Sequence, residues 1–258
     1  MPLPSTVTFH RSDRTATEVV LVAPGLNNKP VALQPLIEAL NAHGYDCLSV
    51  RLRFGRRLSS DEIAREWVSA IADAYAAARA RYPDGSIHSV AYSLGALTTL
   101  MFLQQTPAAS LERLFLIAPP LALTRSAELV RYLTPLRRVG LALPSLAPRS
   151  IRERAFTTLA DYHAMLTLAR ELNEVPVADN IRRARVGCIV SLKDEFVDAA
   201  GVGEWIRRQG LDWTLRILDK KLTGSGPRHL LLSEPSMGRE GWHVLTGEMI
   251  AHLSRDRR

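Results

Sequence analysis

One serine, Ser93, lies where an apolar segment passes directly into a helical pattern. The residues around it read Ala91-Tyr92-Ser93-Leu94-Gly95, which differs by one residue from the Gly-x-Ser-x-Gly pattern of a nucleophile elbow. A strand that reverses into a helix this sharply leaves little room for side chains near the serine, and Ala91 keeps most of the clearance of glycine. The spacing predicts a serine nucleophile in a strained turn with its hydroxyl exposed.

A serine hydroxyl becomes an effective nucleophile only beside a general base, which in this arrangement follows the last strand. His229 occupies such a place, in a glycine-rich loop after the predicted strand at 213–218. The other six histidines fall in predicted strands, at a helix end, in an inserted segment or in the last helix. We predict that His229 is the base, with His243 as the runner-up because it also follows a glycine-containing break.

The base in turn needs a carboxylate that orients its ring. The predicted strand at 186–190 continues into Ser191-Leu192-Lys193-Asp194-Glu195-Phe196-Val197, and three carboxylates lie close together there. Asp194 is nearest to the end of the strand, where its position is best fixed, so we predict that it holds the imidazole. Glu195 and Asp198 are the alternatives for this role.

A tetrahedral oxyanion also needs preorganised hydrogen-bond donors. We expect one at the backbone N–H of Leu94, where the dipole of the following helix favours negative charge. The second is expected at the N–H of Leu26, in the loop Pro24-Gly25-Leu26-Asn27-Asn28-Lys29. Gly25 lets the backbone approach a ligand closely there. The sequence thus predicts an oxyanion hole built from two backbone amides.

Alternating strand and helix patterns must position these residues. Apolar runs predict strands at 6–10, 18–23, 45–52, 87–92, 111–118, 186–192 and 213–218. Helical spacing predicts helices at 32–43, 60–82, 94–105 and 240–253, with Ser60-Asp61 placed to cap the second. Because right-handed β-α-β crossovers make successive strands parallel, the fold class predicted is α/β, a doubly wound and mostly parallel sheet.

The alternation breaks between residues 119 and 185, where no clear strand is visible. Four prolines interrupt the amphipathic helical patterns of this region: Pro135, Pro144, Pro148 and Pro176. We interpret residues 121–185, the inserted segment, as a helical cap between two strands of the sheet. Residues 1–120 and 186–258 would then form the core domain.

Candidate substrate-contacting residues come from the elbow and from the inserted segment. Tyr92 is a candidate because it adjoins Ser93. The inserted segment supplies leucines and three aromatic residues that suggest an apolar acyl pocket: Tyr132, Phe156 and Tyr162. At helical spacing, however, such residues more often pack a core. The segment also holds 11 arginines against 6 acidic residues, which allows an anionic substrate or surface.

These residues together resemble the α/β-hydrolase superfamily, and within it the cap-bearing carboxylesterase and monoacylglycerol-lipase group. The resemblance covers most of the chain outside the inserted segment and is carried by Pro24-Gly25-Leu26, Arg51-Leu52-Arg53-Phe54-Gly55, residues 88–95, Asp194 with Val197, and His229. It implies the α/β-hydrolase fold and a Ser-Asp-His hydrolase with no metal and no organic cofactor. Ala91 departs from the first elbow glycine, and Ser191 stands where the family usually has glycine.

Composition limits the class of protein. The 258 residues, 47% apolar and 23% charged, fit one large α/β domain, or such a domain with an insertion. No apolar run reaches the roughly 18 residues needed to cross a bilayer, and the first residues lack the pattern of a signal peptide. We therefore expect a cytoplasmic protein without stable membrane insertion. Cys47 and Cys188 fall in apolar runs, which indicates buried thiols rather than a disulfide or metal site.

The formal charge of +7 raises the question of nucleic-acid binding. Only four of the 33 basic residues are lysines, and no basic tract is interleaved with aromatic residues. Such a charge without an organised patch does not favour nucleic acid as a partner.

Hydrolysis of a small-molecule carboxylic ester through an acyl-enzyme on Ser93 is the leading hypothesis. A thioesterase or an acyltransferase would use the same residues. A non-catalytic protein that binds a small ligand in the same pocket is the alternative from another class. The sequence carries no prediction of the oligomeric state.

Overall fold

Nine strands form two sheets in the computed structural model, which describes residues 3–14, 16–55, 58–133, 140–145, 147–223 and 227–254. The large sheet contains β1 (Val7–His10), β2 (Val19–Ala23), β3 (Asp46–Val50), β4 (Ile87–Tyr92), β5 (Arg113–Ile117), β8 (Arg185–Ser191) and β9 (Thr214–Leu218). The small sheet contains β6 (Ala142–Pro144) and β7 (Phe156–Thr158). The strand order of the large sheet is β1-β3-β2-β4-β5-β8-β9. β1 is antiparallel to β3 and the other pairs are parallel, which confirms the predicted mostly parallel sheet.

Helices flank the large sheet. Their bounds are α1 (Gln34–Ala42), α2 (Ser60–Arg81), α3 (Leu94–Gln105), α4 (Arg125–Glu128), α5 (Val130–Leu133), α6 (Leu159–Glu174), α7 (Asp179–Arg183), α8 (Ala199–Arg208), α9 (Glu234–Met237) and α10 (Arg239–Ser254). α2, α3 and α6 pack against one another, and α1 and α10 contact each other. Every residue of β4 and β5 is buried, as expected for central strands covered on both faces.

The start of α2 differs by one residue from the predicted capping site. Ser59, rather than Ser60-Asp61, is the N-cap: its hydroxyl accepts from the Glu62 N–H at 3.3 Å, and the Glu62 carboxylate accepts from the Ser59 N–H at 2.8 Å. This reciprocal capping box needs a glutamate three residues after the serine. Only Ser59 has that spacing to Glu62.

The inserted segment is not entirely helical. It contains α4, α5, the β6–β7 pair, α6 and α7 between β5 and β8. The expectation that it has no strand is wrong, because β6 and β7 pair antiparallel with Ala142 opposite Thr158. Strands of three residues are too short to show a readable alternation. Pro135 lies outside the described residues.

Helix α6 joins the inserted segment to the core. It packs against α2 and α3, and its side chains Ala164, Leu168 and Leu172 belong to the main hydrophobic cluster. Thr158 is the N-cap of the helix, and Asp161 completes its capping box and also accepts from the Gly55 N–H at 3.1 Å. The part of the segment from α6 onward is therefore anchored to the helical layer.

Helix α8 is an addition to the predicted elements. Gly201 and Gly203 lie within it, and glycine has low helix propensity, which weakens its signal in the sequence. Burial of Val202 and Trp205 stabilises it. Gly201 is required by close packing, since a Cβ there would lie 2.7 Å from the Cβ of Ala122.

No helix in the ranges given above is long and apolar enough to cross a membrane. Within the same ranges, no group of three histidine, cysteine, aspartate or glutamate side chains is placed to hold a metal ion. Cys47 and Cys188 are buried free thiols, and burial raises the pKa of both.

His88 is a buried histidine in β4. Its Nε2 lies 3.6 Å from a Glu18 carboxylate oxygen, and Tyr45 packs edge-on against the ring. Burial is the largest influence on the pKa of His88 and holds it below its ordinary value of 6.5. The charges of Glu18 and Glu112 raise this pKa, and the charge of Arg113 lowers it.

We expect His88 to weaken the fold in acid. As pH falls below 6.5, the unfolded chain binds a proton that the folded His88 does not, so the free energy of unfolding decreases. This contribution is complete above the unfolded pKa and is lost as pH falls through the lower folded pKa, with a slope of at most about 1.4 kcal/mol per pH unit. His88→Gln is neutral at every pH and should flatten the slope. Urea unfolding at several pH values measures it, and identical slopes for both proteins would contradict the prediction.

Candidate active site

Ser93 occupies the turn between β4 and α3. Its φ of 51° and ψ of −117° are values that few non-glycine residues adopt. Its N–H donates to the Ile117 carbonyl of β5 at 2.8 Å, which fixes the turn against the neighbouring strand. The strained turn is therefore present as predicted. The hydroxyl, by contrast, opens on a cavity rather than on bulk solvent, since Ser93 is only 5% exposed.

Small residues on both sides make the turn possible. A Cβ at Gly95 would lie 2.6 Å from the Ala23 carbonyl oxygen and 2.7 Å from that of Pro24, so glycine is needed there. Ala91 is fully buried, where β4 pairs with Ala23 of β2 and with Leu116 of β5. The methyl group of alanine is accommodated at the position where the common pattern has glycine.

His229 reaches Ser93 from the loop that follows β9. Its Nε2 is 2.8 Å from Ser93 Oγ. The imidazole packs against Tyr92 and Phe196, with ring centroids 5.4 and 5.2 Å away. The Tyr92 hydroxyl donates to the His229 carbonyl at 2.9 Å. Both the ring and the backbone of His229 are thus held in place, while residues 224–226 of its loop lie outside the described residues.

Asp194 lies on the other side of the imidazole. Its Oδ2 is 2.8 Å from His229 Nδ1, and its carboxylate is fully buried. Asp194 Oδ1 accepts from the N–H groups of Phe196 and Val197 at 2.7 and 2.9 Å. These two bonds fix the plane of the carboxylate. With its proton on Nδ1, His229 can donate to Asp194 and leave Nε2 free to accept from Ser93.

The alternative residues lie elsewhere. Glu195 accepts from the N–H groups of Arg228 and His229, both at 3.0 Å, and so orients the backbone of the histidine loop. Asp198 is the N-cap of α8. His243 lies exposed on α10. Side-chain hydrogen bonds join Ser93 to His229, and His229 to Asp194.

Tyr92 lines the cavity at Ser93, but its polar group is already engaged. The residue is 2% exposed, and burial, with the nearby Asp194 and Glu195 charges, raises its pKa well above the usual value. Its ring also fills the space beside Gly25, where a Cβ would lie 2.6 Å from the aromatic carbon Cε1. Tyr92 therefore packs between the loop after β2 and the loop of His229.

The two residues predicted as oxyanion donors are Leu94, at the start of α3, and Leu26, in the cavity lining. Leu94 is the first residue of α3, so its N–H is at the positive end of the helix dipole. Leu26 lines the cavity together with Ser93 and His229. The next residue, Asn27, has a φ of 59° and is almost completely buried. The side chain of Asn27 forms hydrogen bonds with Arg154 and Thr157. These contacts could not be predicted from the sequence, because both partners lie in the distant inserted segment.

A mostly apolar cavity opens at Ser93. Its lining residues are Leu26, Asn28, Tyr92, Ser93, Pro120, Leu123, Ala127, Val130, Ser145, Ala147, Thr157, Tyr162, Met165, Leu166, Phe196, Pro227, His229 and Leu230. Half of them belong to the inserted segment. No lysine, arginine, aspartate or glutamate is among these described lining residues. Of the three aromatic residues suggested for an acyl pocket, Tyr162 lines the cavity, whereas Tyr132 and Phe156 are largely exposed.

Comparison with known proteins identifies the fold. A soluble variant of monoglyceride lipase from Saccharomyces cerevisiae superposes with a TM-score of 0.75 at 12% identity, over 96% of this chain and 91% of that one. A monoacylglycerol lipase from Paleococcus ferrophilus gives 0.68 at 14% identity, over 95% and 99%. A metagenome-derived lipolytic enzyme gives 0.68 at 16% identity, over 99% and 100%. The chain therefore has the α/β-hydrolase fold, and the resemblance found in its sequence is confirmed at that level.

Sequence comparison adds no closer assignment. No family model matches the chain, and no curated protein matches it. With identities this low, the solved structures establish the architecture alone.

Proposed function

We propose that this protein is a serine hydrolase that cleaves a carboxylic ester through an acyl-enzyme on Ser93. The observation that carries the proposal is the continuous line of contacts from Ser93 Oγ through the His229 imidazole to the buried Asp194 carboxylate, at 2.8 Å in each step. Nucleophile, base and orienting acid are the three groups that acyl transfer needs.

Each group has a defined part in the reaction. His229 Nε2 removes the proton from Ser93 Oγ as the oxygen attacks the ester carbonyl, and Asp194 stabilises the resulting imidazolium. The N–H groups of Leu26 and Leu94 bind the oxyanion. The tetrahedral intermediate then collapses, and His229 gives its proton to the departing alcohol. Water, activated by His229, hydrolyses the acyl-enzyme and restores Ser93.

The substrate proposed is a neutral ester with an apolar acyl group. The cavity lining offers aliphatic and aromatic side chains, and a buried anion would find no cationic partner among the described lining residues. The arginines of the inserted segment therefore do not argue for an anionic substrate in this cavity. We propose residues 121–185 as the cap over the site, with residues 1–120 and 186–258 as the hydrolase core.

Labelling with a fluorophosphonate tests the reaction class. We expect stoichiometric modification of the native protein, with mass spectrometry placing the adduct on Ser93. A folded chain that does not react would favour the non-catalytic ligand-binding protein instead.

A matched pair of esters tests the substrate class. p-Nitrophenyl pentanoate and the p-nitrophenyl monoester of glutaric acid have acyl chains of equal length, and the second ends in a carboxylate. We expect kcat/KM to be at least about tenfold higher for the neutral ester, because the carboxylate would be desolvated without a partner. Steady-state hydrolysis rates measure the ratio. Equal rates, or a preference for the carboxylated ester, would contradict the neutral acyl site.

A further inference from the structure

The loop that carries Leu26 is bonded to the inserted segment along several residues. Lys29 N–H donates to the Ile151 carbonyl at 2.7 Å, and Asn28 pairs with Arg152 in an antiparallel bridge. The Glu153 N–H donates to the Asn27 carbonyl at 2.8 Å. Although these partners are separated by more than a hundred residues in sequence, they form a short piece of β-like pairing beside the proposed oxyanion hole.

The Asn27 side chain is the centre of this pairing. Its Oδ1 accepts from the Arg154 N–H at 2.9 Å, and its Nδ2 donates to the Arg154 carbonyl at 2.8 Å. The second proton of Nδ2 is directed to the Thr157 hydroxyl at 3.2 Å. One side-chain amide thus satisfies both backbone groups of Arg154, as a neighbouring strand would.

Burial and backbone conformation make the loss of the Asn27 hydrogen bonds costly. Asn27 is 1% exposed and Thr157 is 3% exposed, so water cannot replace the amide at little cost. The φ of 59° at Asn27 lies in the left-handed region, which asparagine tolerates better than most residues. A strained residue held by three side-chain hydrogen bonds directly follows Leu26, whose N–H is the proposed donor.

The geometry points to Asn27 as a positioning residue that sets the Leu26 N–H through its amide bonds to residues 154–157 of the inserted segment. This inference rests on the proposed function and extends it. The inserted segment then belongs to the catalytic apparatus as well as to the substrate cavity. Thr157 both lines that cavity and accepts from Asn27, so this residue links the proposed substrate site to the Asn27 contact.

Asn27→Gly is the discriminating variant, with Asn27→Ala beside it. Glycine adopts a positive φ without strain, so Asn27→Gly removes only the side-chain hydrogen bonds to Arg154 and Thr157. Asn27→Ala removes the same bonds and adds backbone strain. For p-nitrophenyl butyrate we expect both variants to lose at least about tenfold in kcat, with KM within about threefold, because one oxyanion donor is misplaced. Amide hydrogen exchange should rise in peptides covering residues 24–29 and 153–157.

Asn180→Ala is the matched control. Asn180 is also a buried asparagine, and its Nδ2 donates to the carbonyls of Leu103, Thr106 and Ala109 at the end of α3 remote from Ser93. We expect it to lower the melting temperature while kcat and exchange at 24–29 stay unchanged. An equal loss of kcat in the control would show that the loss in the Asn27 variants comes from general destabilisation, and it would overturn the inference.

The remaining outcomes separate the inference from the proposed function. An active wild type with unchanged kcat in Asn27→Gly, or with unchanged exchange at 24–29, overturns the positioning role and leaves the hydrolase intact. A wild type that neither hydrolyses the ester nor reacts with a fluorophosphonate overturns the proposed function, and the role of Asn27 in that reaction falls with it. Loss of kcat at constant KM with raised exchange supports the assignment.

Discussion

Replacement of Ser93 by alanine should lower kcat for ester hydrolysis by about 10⁴ to 10⁶-fold, because the acyl-enzyme can no longer form. Substrate should still bind, since the lining of the cavity is otherwise unchanged. We expect little change in melting temperature, as the variant removes one hydroxyl and its contact with His229. Fluorophosphonate labelling should disappear together with the activity.

Ser89→Ala is the matched control for this experiment. Ser89 lies in the same strand, is completely buried and carries no role in the proposed reaction. The Ser89 variant should therefore retain the wild-type kcat. Retained hydrolysis in a purified Ser93→Ala protein would contradict the acyl-enzyme mechanism directly.

Replacement of Asp194 by asparagine should reduce kcat by about 10⁴-fold, and the structure explains why an isosteric change is so costly. The N–H groups of Phe196 and Val197 both point at Oδ1, so the amide must place its oxygen there. Its NH₂ group then faces His229 Nδ1 and donates to it. This reverses the imidazole tautomer, and the proton on Nε2 prevents acceptance of the Ser93 proton.

Two neighbouring variants separate Asp194 from the alternatives. Asp198→Asn should keep full activity, because asparagine is an equally good helix N-cap. Glu195→Gln loses one of the two carboxylate oxygens that accept from the Arg228 and His229 N–H groups. We expect kcat to fall by less than about tenfold, much less than in Asp194→Asn. Steady-state kinetics on the three purified variants measure the kcat of each and rank the three losses. A larger loss in Glu195→Gln than in Asp194→Asn would reassign the orienting acid.

Much of the architecture could be predicted because the relevant signals are local. Apolar residues predominate in β4 and β5, and their neighbours in the chain carry helical spacing, so the mostly parallel sheet follows from the order of elements. Ser93, Asp194 and His229 each follow a strand, and strand ends of a parallel sheet meet at one edge. The geometry that brings these three side chains together is a consequence of that topology.

Other features depend on contacts that no local pattern encodes. β6 and β7 are short and gain their pairing only through tertiary structure. Glu195 and Asp194 are adjacent carboxylates in sequence, and their different tasks arise from the loop that folds over them. The contact of Asn27 with Arg154 spans 127 residues. Propensity and periodicity carry no information about such partners.

Under the proposed mechanism, the line of contacts at Ser93 also determines when the protein can become reactive during its synthesis. Ser93 and His229 are 136 residues apart in the chain, and Asn27 needs partners beyond residue 150. A ribosome that has released β1 to β5 has therefore produced the proposed nucleophile without its proposed base. Since chains fold progressively from the N-terminus as they emerge, we expect Ser93 to stay unreactive until residue 229 has left the exit tunnel.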